Sequence, residues 1–206
     1  MTPCLQQQSN ECCSALLTPL TIHAFSAVRS QAYSSWSLRA WLPLRVVAGK
    51  GGFEEINIEL AGSGSDEQRD YIRKYSPSGK VPALFDAELG DAVIWDSLAI
   101  AEHLAEVFPG LLWPADQALR AKARSVSAEM HSSFSAMRDA LPMNVRKSSP
   151  ETETWRAPGV EADIERICEI WTECRAAVPA GGGPFLFGAF SIADAMYAPV
   201  CMRIAT

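Results

Sequence analysis

The spacing of hydrophobic positions changes about halfway along this chain of 206 residues. In the first half, short apolar runs and alternating segments are separated by turn residues, a pattern typical of strands. They predict strands at residues 20–25, 53–60, 83–85 and 92–95. Segments with helical spacing or a run of charges predict helices at residues 34–47, 66–75 and 97–107. We therefore expect the first half to alternate strands and helices around one small sheet.

The second half keeps the helical period throughout. Apolar residues three and four positions apart form a first series of Leu119, Ala123, Val126, Met130, Phe134, Met137 and Leu141. A second series consists of Val160, Ile164, Ile167, Trp171, Cys174 and Val178. Each series predicts one amphipathic helix with a buried apolar face. We interpret the methionines and aromatic residues of the first series as core, with the lining of an apolar substrate pocket as the alternative.

Composition along the chain predicts two domains. Residues 1–18 are polar and contain three consecutive glutamines, so they are expected to form a disordered extension. Residues 19–108 hold all the predicted strands, residues 109–115 are interpreted as a linker, and residues 116–206 are predicted to be all-helical. Because the sequence ends within or soon after the last predicted helix, we expect either a short helical domain or a fragment of a longer one.

The overall charge disfavours one class of partner. The chain has a formal net charge of -6 and a pI of about 5.1, whereas nucleic-acid binders usually carry a basic face. No apolar run reaches the length of a membrane span. The N-terminus has no Lys or Arg before Arg29, whereas a signal or transit peptide would need such a residue. We therefore expect neither nucleic acid nor membrane as a partner, and a cytoplasmic location.

The six cysteines do not follow the spacing of a zinc site, so no metal is predicted. Cys168, Cys174 and Cys201 fall within apolar helical segments and are expected to be buried thiols. The chain is also too large to need disulfides for stability, which favours a reducing compartment.

The residues with the clearest chemical meaning lie at positions 76–105. Asp96 and Ser97 stand at a predicted helix start, where free N–H groups and a partial positive charge can hold a carboxylate. Val81 precedes Pro82 and is expected to be extended, with N–H and C=O groups that an extended peptide can pair with. Together these residues predict a small site for an acidic peptide.

The Lys-Val-Pro run at 80–82 and the Asp-Ser-Leu-Ala-Ile run at 96–100, at this spacing, resemble the thioredoxin-like domain of cytosolic glutathione S-transferases. In that family a cis Val-Pro peptide pairs with the cysteinyl backbone of glutathione, and an acidic residue followed by Ser holds its γ-glutamyl end. The resemblance implies a glutathione site with Lys80 near the glycyl end. The residues expected to bind glutathione are Lys80, Val81, Pro82, Asp96 and Ser97.

A run of small hydroxyl residues precedes the first predicted helix. Ser34, Ser35 and Ser37 are each suited to cap that helix. The resemblance implies a second role, since glutathione transferases place a Ser, Tyr or Cys here, aimed at the bound thiol. The run is similar to the Ser-Ser-Cys-Ser motif of the zeta class, and Ser34 precedes Arg39 by the same five residues as the catalytic Ser of the tau class precedes an Arg. We therefore predict Ser34 as the catalytic residue, with Ser35 as the alternative.

The resemblance implies an α/β thioredoxin-like domain followed by an all-α domain, and a serine-type transferase that joins glutathione, its co-substrate, to small apolar electrophiles. It also implies a homodimer. Trp36 stands where the zeta class carries Cys, so the run lacks the nucleophile of omega-type thiol transferases. Two alternatives stay open: a glutathione-dependent isomerase of the maleylacetoacetate type, and a non-catalytic domain of this fold that binds ligands or mediates assembly.

Two further features are predicted to be structural. Ser191 and Asp194 are spaced like a capping box with Asp in place of Glu, and glutathione transferases have this element before a buried helix. His103 lies in a predicted helix and is expected to be a packed or surface histidine rather than a ligand.

Overall fold

The computed structural model describes residues 34–49, 52–58, 65–90, 92–143 and 153–205, together with the backbone of residues 22–25. The predicted extension at 1–18 lies outside these residues. The first half contains a sheet of four strands: β1 (Ile22–Phe25), β2 (Phe53–Ile56), β3 (Ala83–Asp86) and β4 (Ala92–Trp95). The predicted strands are therefore present, although β2 ends earlier than the predicted segment at 53–60.

The sheet has the order β2-β1-β3-β4. β1 is parallel to β2 and antiparallel to β3, and β3 is antiparallel to β4. A parallel pair needs a crossover connection, which helix α1 (Ser35–Ala48) supplies, whereas the short turn at Ala87–Leu89 is enough to join β3 to β4. This mixed order is the thioredoxin-like arrangement that the sequence predicts.

Three helices accompany the sheet: α1, α2 (Asp66–Arg73) and α3 (Ser97–Val107). The side-chain oxygens of Ser34, Ser65 and Asp96 accept hydrogen bonds from backbone N–H groups in the first turn of these helices. Such caps satisfy donors that a helix start leaves unpaired. The three predicted helices of this half are confirmed.

The second half is helical and comprises α4 (Gln117–Ser132), α5 (Ser135–Ala140), α6 (Val160–Ala176) and α7 (Ile192–Ala205). The prediction of one helix over the first apolar series is wrong, because the chain leaves the helix at Ser133 and Phe134 has a left-handed φ of 62°. The Phe134 side chain is nevertheless buried. The break therefore redirects the backbone while the apolar series stays in the core.

The two halves share one hydrophobic core. Buried members of this core include Leu44, Ile100, Leu104, Met130, Met137, Ile167 and Met196. Nε of Arg39 on α1 donates a 2.8 Å hydrogen bond to the backbone oxygen of Met196 on α7. Leu112, within the predicted linker, is buried and accepts a 3.0 Å bond from the backbone N–H of Ile192. The connection between the halves is thus part of the packed structure.

Asp194 ties the start of α7 to the preceding loop. Its Oδ2 accepts bonds from the backbone N–H of Ser191 at 2.8 Å and from the Ser191 hydroxyl at 2.9 Å. Its Oδ1 accepts a 2.8 Å bond from the backbone N–H of Leu186. The capping element predicted from the sequence is confirmed, and it also holds the loop that leads into the helix.

The prediction of three buried thiols is correct for Cys174 alone. Cys168 and Cys201 are exposed. On α6 the core face is formed by Ile167, Ile170 and Cys174, so Cys168 points away from it. An apolar segment marks a helix as partly buried, but the face on which a single cysteine lies depends on which side packs.

Candidate functional site

The residues predicted to bind glutathione line one cavity of about 470 Å³. The loop before β3 and the start of α3 form one wall, which contains residues 80–82 and 96–97. Residues that the sequence did not identify complete the lining: Trp36, Ser78, Trp95, His131 and Arg138. The cavity therefore lies where the sheet domain meets helices α4 and α5.

Asp96 is the N-cap residue of α3. Its Oδ1 accepts hydrogen bonds from the backbone N–H groups of Leu98 at 2.8 Å and Ala99 at 3.3 Å. Its Oδ2 lies 3.2 Å from Nε2 of His131 on α4. The backbone φ of Asp96 is 76°, and such values in non-glycine residues concentrate at functional sites. The carboxylate is 43% exposed, so it can still accept a bond from a ligand ammonium group.

Ser97 is the first residue of α3 and is only 1% exposed. The residue lines the cavity, and its buried Oγ has no hydrogen-bond partner among the described residues. Leaving a buried hydroxyl unpaired costs about 1–3 kcal/mol. A ligand oxygen at this position would relieve that cost and would also meet the free N–H groups of the helix start. The arrangement suits a carboxylate.

The Val81–Pro82 peptide bond is cis, as the resemblance implies. Within the described chain the backbone N–H and C=O of Val81 bond to no other group. An extended peptide can therefore pair with both. Lys80 is exposed beside them, and its ammonium group forms no ion pair with a described residue.

Ser34 and Ser35 are placed differently from these residues. Ser34 Oγ accepts a 3.2 Å bond from the backbone N–H of Ser37, as an N-cap does. Ser35 is buried, and its Oγ accepts a 3.1 Å bond from Nη2 of Arg203 on α7. Neither serine is among the described residues that line the cavity. Since Ser34 acts as an acceptor in its capping bond, its hydroxyl hydrogen remains available to donate. The catalytic assignments of Ser34 and Ser35 both stay predictions.

Two residues of the helical half, His131 and Arg138, reach the cavity and contact Trp36 of α1. The Trp36 ring lies edge-on to the His131 imidazole, with 5.2 Å between ring centroids. The guanidinium carbon of Arg138 lies 5.4 Å from the Trp36 ring centroid. His131 and Arg138 stand on α4 and α5, far along the chain from the other site residues, and no local motif marks them. A basic residue at the polar edge of an amphipathic helix was the only signal.

A buried guanidinium also lies against Trp36. The Arg39 side chain is fully buried, with Cζ 4.5 Å from the Trp36 ring centroid. Apart from the bond that Nε donates to Met196, the guanidinium makes no hydrogen bond to a described residue, so Nη1 and Nη2 are unpaired within that part of the chain. Burial, together with the positive charges of Arg203 and Arg138, lowers the pKa of Arg39 to about 9. This side of the cavity therefore carries a positive potential.

His103 lies outside this cavity. Its Nε2 is 2.7 Å from Oδ2 of Asp86, and the two side chains are 15% and 2% exposed. The prediction of a packed histidine is confirmed. Among the described residues, no group of three or more His, Cys, Asp and Glu side chains is arranged to hold a metal ion. None of the described helices is long and apolar enough to cross a membrane.

Comparison of sequences identifies the first domain. Residues 33–107 match the family model for the N-terminal domain of glutathione S-transferases. Over 58 residues the chain is 36% identical to dichloromethane dehalogenase of Methylorubrum extorquens. This match spans 28% of the chain and 19% of the dehalogenase, so it covers about a fifth of that relative.

Solved structures agree over most of the chain. The yeast protein Ure2p, solved with glutathione, has a TM-score of 0.62 and 21% identity, with 91% of this chain and 82% of Ure2p covered. A tau class glutathione S-transferase from mango has a TM-score of 0.58 and 22% identity, with 88% and 74% covered. These similarities confirm the predicted fold, a thioredoxin-like domain followed by a helical domain. The chain therefore contains a segment similar to the N-terminal domain of glutathione S-transferases, and as a whole it has the glutathione transferase fold.

Proposed function

We propose that this protein binds glutathione in the cavity and joins the glutathione sulfur to small electrophiles. The observation that carries the proposal is that the α3 start and the Val81 backbone, which is unpaired within the described chain, lie together in one wall of the cavity. The γ-glutamyl carboxylate would bond to Ser97 and its ammonium group to Asp96. The extended cysteinyl backbone would pair with Val81 beside Pro82, and the glycyl carboxylate would lie near Lys80. Each contact then pairs opposite charges or a hydrogen-bond donor with an acceptor.

The chemical step needs a thiolate. A free thiol has a pKa of about 8.5, so little thiolate exists at neutral pH. A hydrogen bond donated by the Ser34 hydroxyl, with the positive end of α1 nearby, would favour the thiolate. Ser35 remains the alternative, although its oxygen already accepts a bond from Arg203.

The proposed reaction is a nucleophilic substitution or addition. The thiolate sulfur forms a C–S bond to the electrophilic carbon, and in a substitution the leaving group departs with the bonding electrons. The thiol proton passes to solvent. Glutathione is consumed as co-substrate, and no step in this scheme requires a metal.

Two measurements test the proposal. Calorimetric titration should show glutathione binding to the purified chain, and thiol consumption should follow when electrophiles are added. Absence of glutathione binding would overturn the proposal. Binding without turnover of any electrophile in a broad panel would overturn only the catalytic part.

A non-catalytic binding role is the second candidate. Two observations favour it: neither Ser34 nor Ser35 lines the cavity, and the nitrogen regulation fragment of the yeast prion protein Ure2p shares the fold. A glutathione-dependent isomerase is the third candidate, and it would return glutathione unchanged. Product analysis therefore separates the three.

We further propose that the protein acts in the cytoplasm as a homodimer. The family resemblance supports both statements, and the three described cysteines are free thiols, as a reducing compartment favours. Light scattering of the purified chain tests the dimer, and cell fractionation tests the location.

A further inference from the structure

We propose that the cavity selects electrophiles that carry a carboxylate on an aromatic ring, and that Arg138 is the residue that recognises the carboxylate. This inference rests on the proposed function, because it concerns the second substrate of the same cavity. It changes the expected electrophile from a purely apolar molecule to one with an apolar ring and a negative group.

The position of Arg138 supports this role. The groups proposed to hold glutathione all come from the sheet domain, whereas Arg138 comes from α5 in the helical half and lines the same cavity. A second substrate must approach the thiol from the side that glutathione leaves open. That side is the helical half. Trp36 and Trp95 line the cavity as well, and their rings provide aromatic surface for an aromatic substrate.

The Arg138 guanidinium also has N–H donors that make no hydrogen bond within the described chain. Within the described chain its guanidinium makes one hydrogen bond, from Nη1 to the backbone oxygen of His131 at a long 3.4 Å. It forms no ion pair with a described residue, and it is half-buried. An arginine has five N–H donors in a planar fork that matches the two oxygens of a carboxylate.

The charges around Arg138 favour an added anion. Arg39 and Arg203 lie close enough that each feels the positive charge of Arg138, which the carboxylate of Asp139 offsets in part at Arg203. The acid that lines the cavity is Asp96, whose oxygens already contact the α3 start and His131. A carboxylate next to Arg138 would reduce the repulsion among the three guanidinium groups.

The test uses two chemically synthesised conjugates of glutathione, one with a dinitrophenyl group and one with a carboxydinitrophenyl group. Their affinities are measured by calorimetry, so the result does not depend on turnover. We expect the wild-type protein to bind the carboxylate conjugate more tightly, by about tenfold or more if the bond to Arg138 is charge-assisted. Raising the ionic strength should reduce this preference.

Three variants decide the role of Arg138. Arg138→Gln should abolish the preference for the carboxylate conjugate, and Arg138→Lys should keep part of it because the charge remains. Arg69→Gln removes an exposed arginine of α2 that pairs with Asp66, and it should leave the preference intact. Circular dichroism and the unfolding midpoint establish that each variant is folded.

Other outcomes would overturn the inference. Equal wild-type affinities for the two conjugates would show that the cavity does not recognise the carboxylate. If Arg138→Gln weakens both conjugates and glutathione itself equally, Arg138 binds glutathione instead. The catalytic part of the proposed function can fail while this inference holds. That outcome would be different affinities for the two conjugates, with no consumption of glutathione in the presence of either chlorodinitrobenzene or chlorodinitrobenzoate.

Discussion

Replacement of Asp96 by Asn separates two roles of one carboxylate. The side-chain oxygen of Asn can still accept hydrogen bonds from Leu98 and Ala99, and Asn is a good N-cap residue that tolerates a positive φ. The variant therefore keeps the start of α3. It loses the negative charge that faces His131 and, in the proposed complex, the ammonium group of glutathione.

The size of the effect follows from the exposure of the site. Hydrogen bonds to charged groups contribute about 1.5–3 kcal/mol, and solvent screening at a half-exposed carboxylate favours the lower end. We therefore expect Asp96→Asn to weaken glutathione binding about tenfold. The free energy of unfolding should change by less than about 1 kcal/mol. Asp96→Ala should weaken binding similarly and also destabilise the protein by about 1 kcal/mol, because the cap is lost.

Calorimetric titration with glutathione and chemical denaturation of the same samples measure both quantities. Asp116→Asn is the matched control, since Asp116 caps α4 through a 2.8 Å bond from Leu119 and does not line the cavity. It should leave glutathione affinity unchanged. Wild-type affinity in a folded Asp96→Asn variant would remove Asp96 from the binding site. A loss of stability in Asp96→Asn as large as in Asp96→Ala would refute the capping argument.

Further predictions concern activation, stability and thiol reactivity. Ser34→Ala should raise the pKa of the bound glutathione thiol, whereas Ser37→Ala should not; the ultraviolet absorbance of the thiolate, recorded as pH is varied, measures this pKa. If both variants give the wild-type thiol pKa, the role of Ser34 is limited to capping the helix. Asp194→Ala should lower the free energy of unfolding by about 3 kcal/mol, because three hydrogen bonds are lost, and turnover per folded molecule should persist. Since burial raises the pKa of Asp194, the native state holds its proton more tightly than the unfolded chain, and denaturation at several pH values should show this loss shrinking as pH rises above about 3.8. Mass spectrometry after brief alkylation should find Cys168 modified and Cys174 protected, because burial excludes the reagent and raises the Cys174 thiol pKa; equal labelling would contradict the packing of α6.

Features that depend on neighbouring residues could be predicted from the chain alone. The order of strands and helices in the first half follows from local periodicity and from caps such as Ser34 and Asp96. The bonds of Asp194 to Ser191 join residues three positions apart, so the spacing of the two residues was enough to predict them. The resemblance to glutathione transferases adds the cis bond before Pro82, which no local spacing implies.

Features that depend on packing between distant segments could not be predicted in this way. The contact of Asp96 with His131, and that of Trp36 with Arg138, join the sheet domain to the helical half. Phe134 breaks a helix although its apolar series continues, because its place in the core and not its sequence spacing decides the backbone direction there. A local pattern records which residues prefer burial, but the partner that each one meets is set when both halves close around the same core.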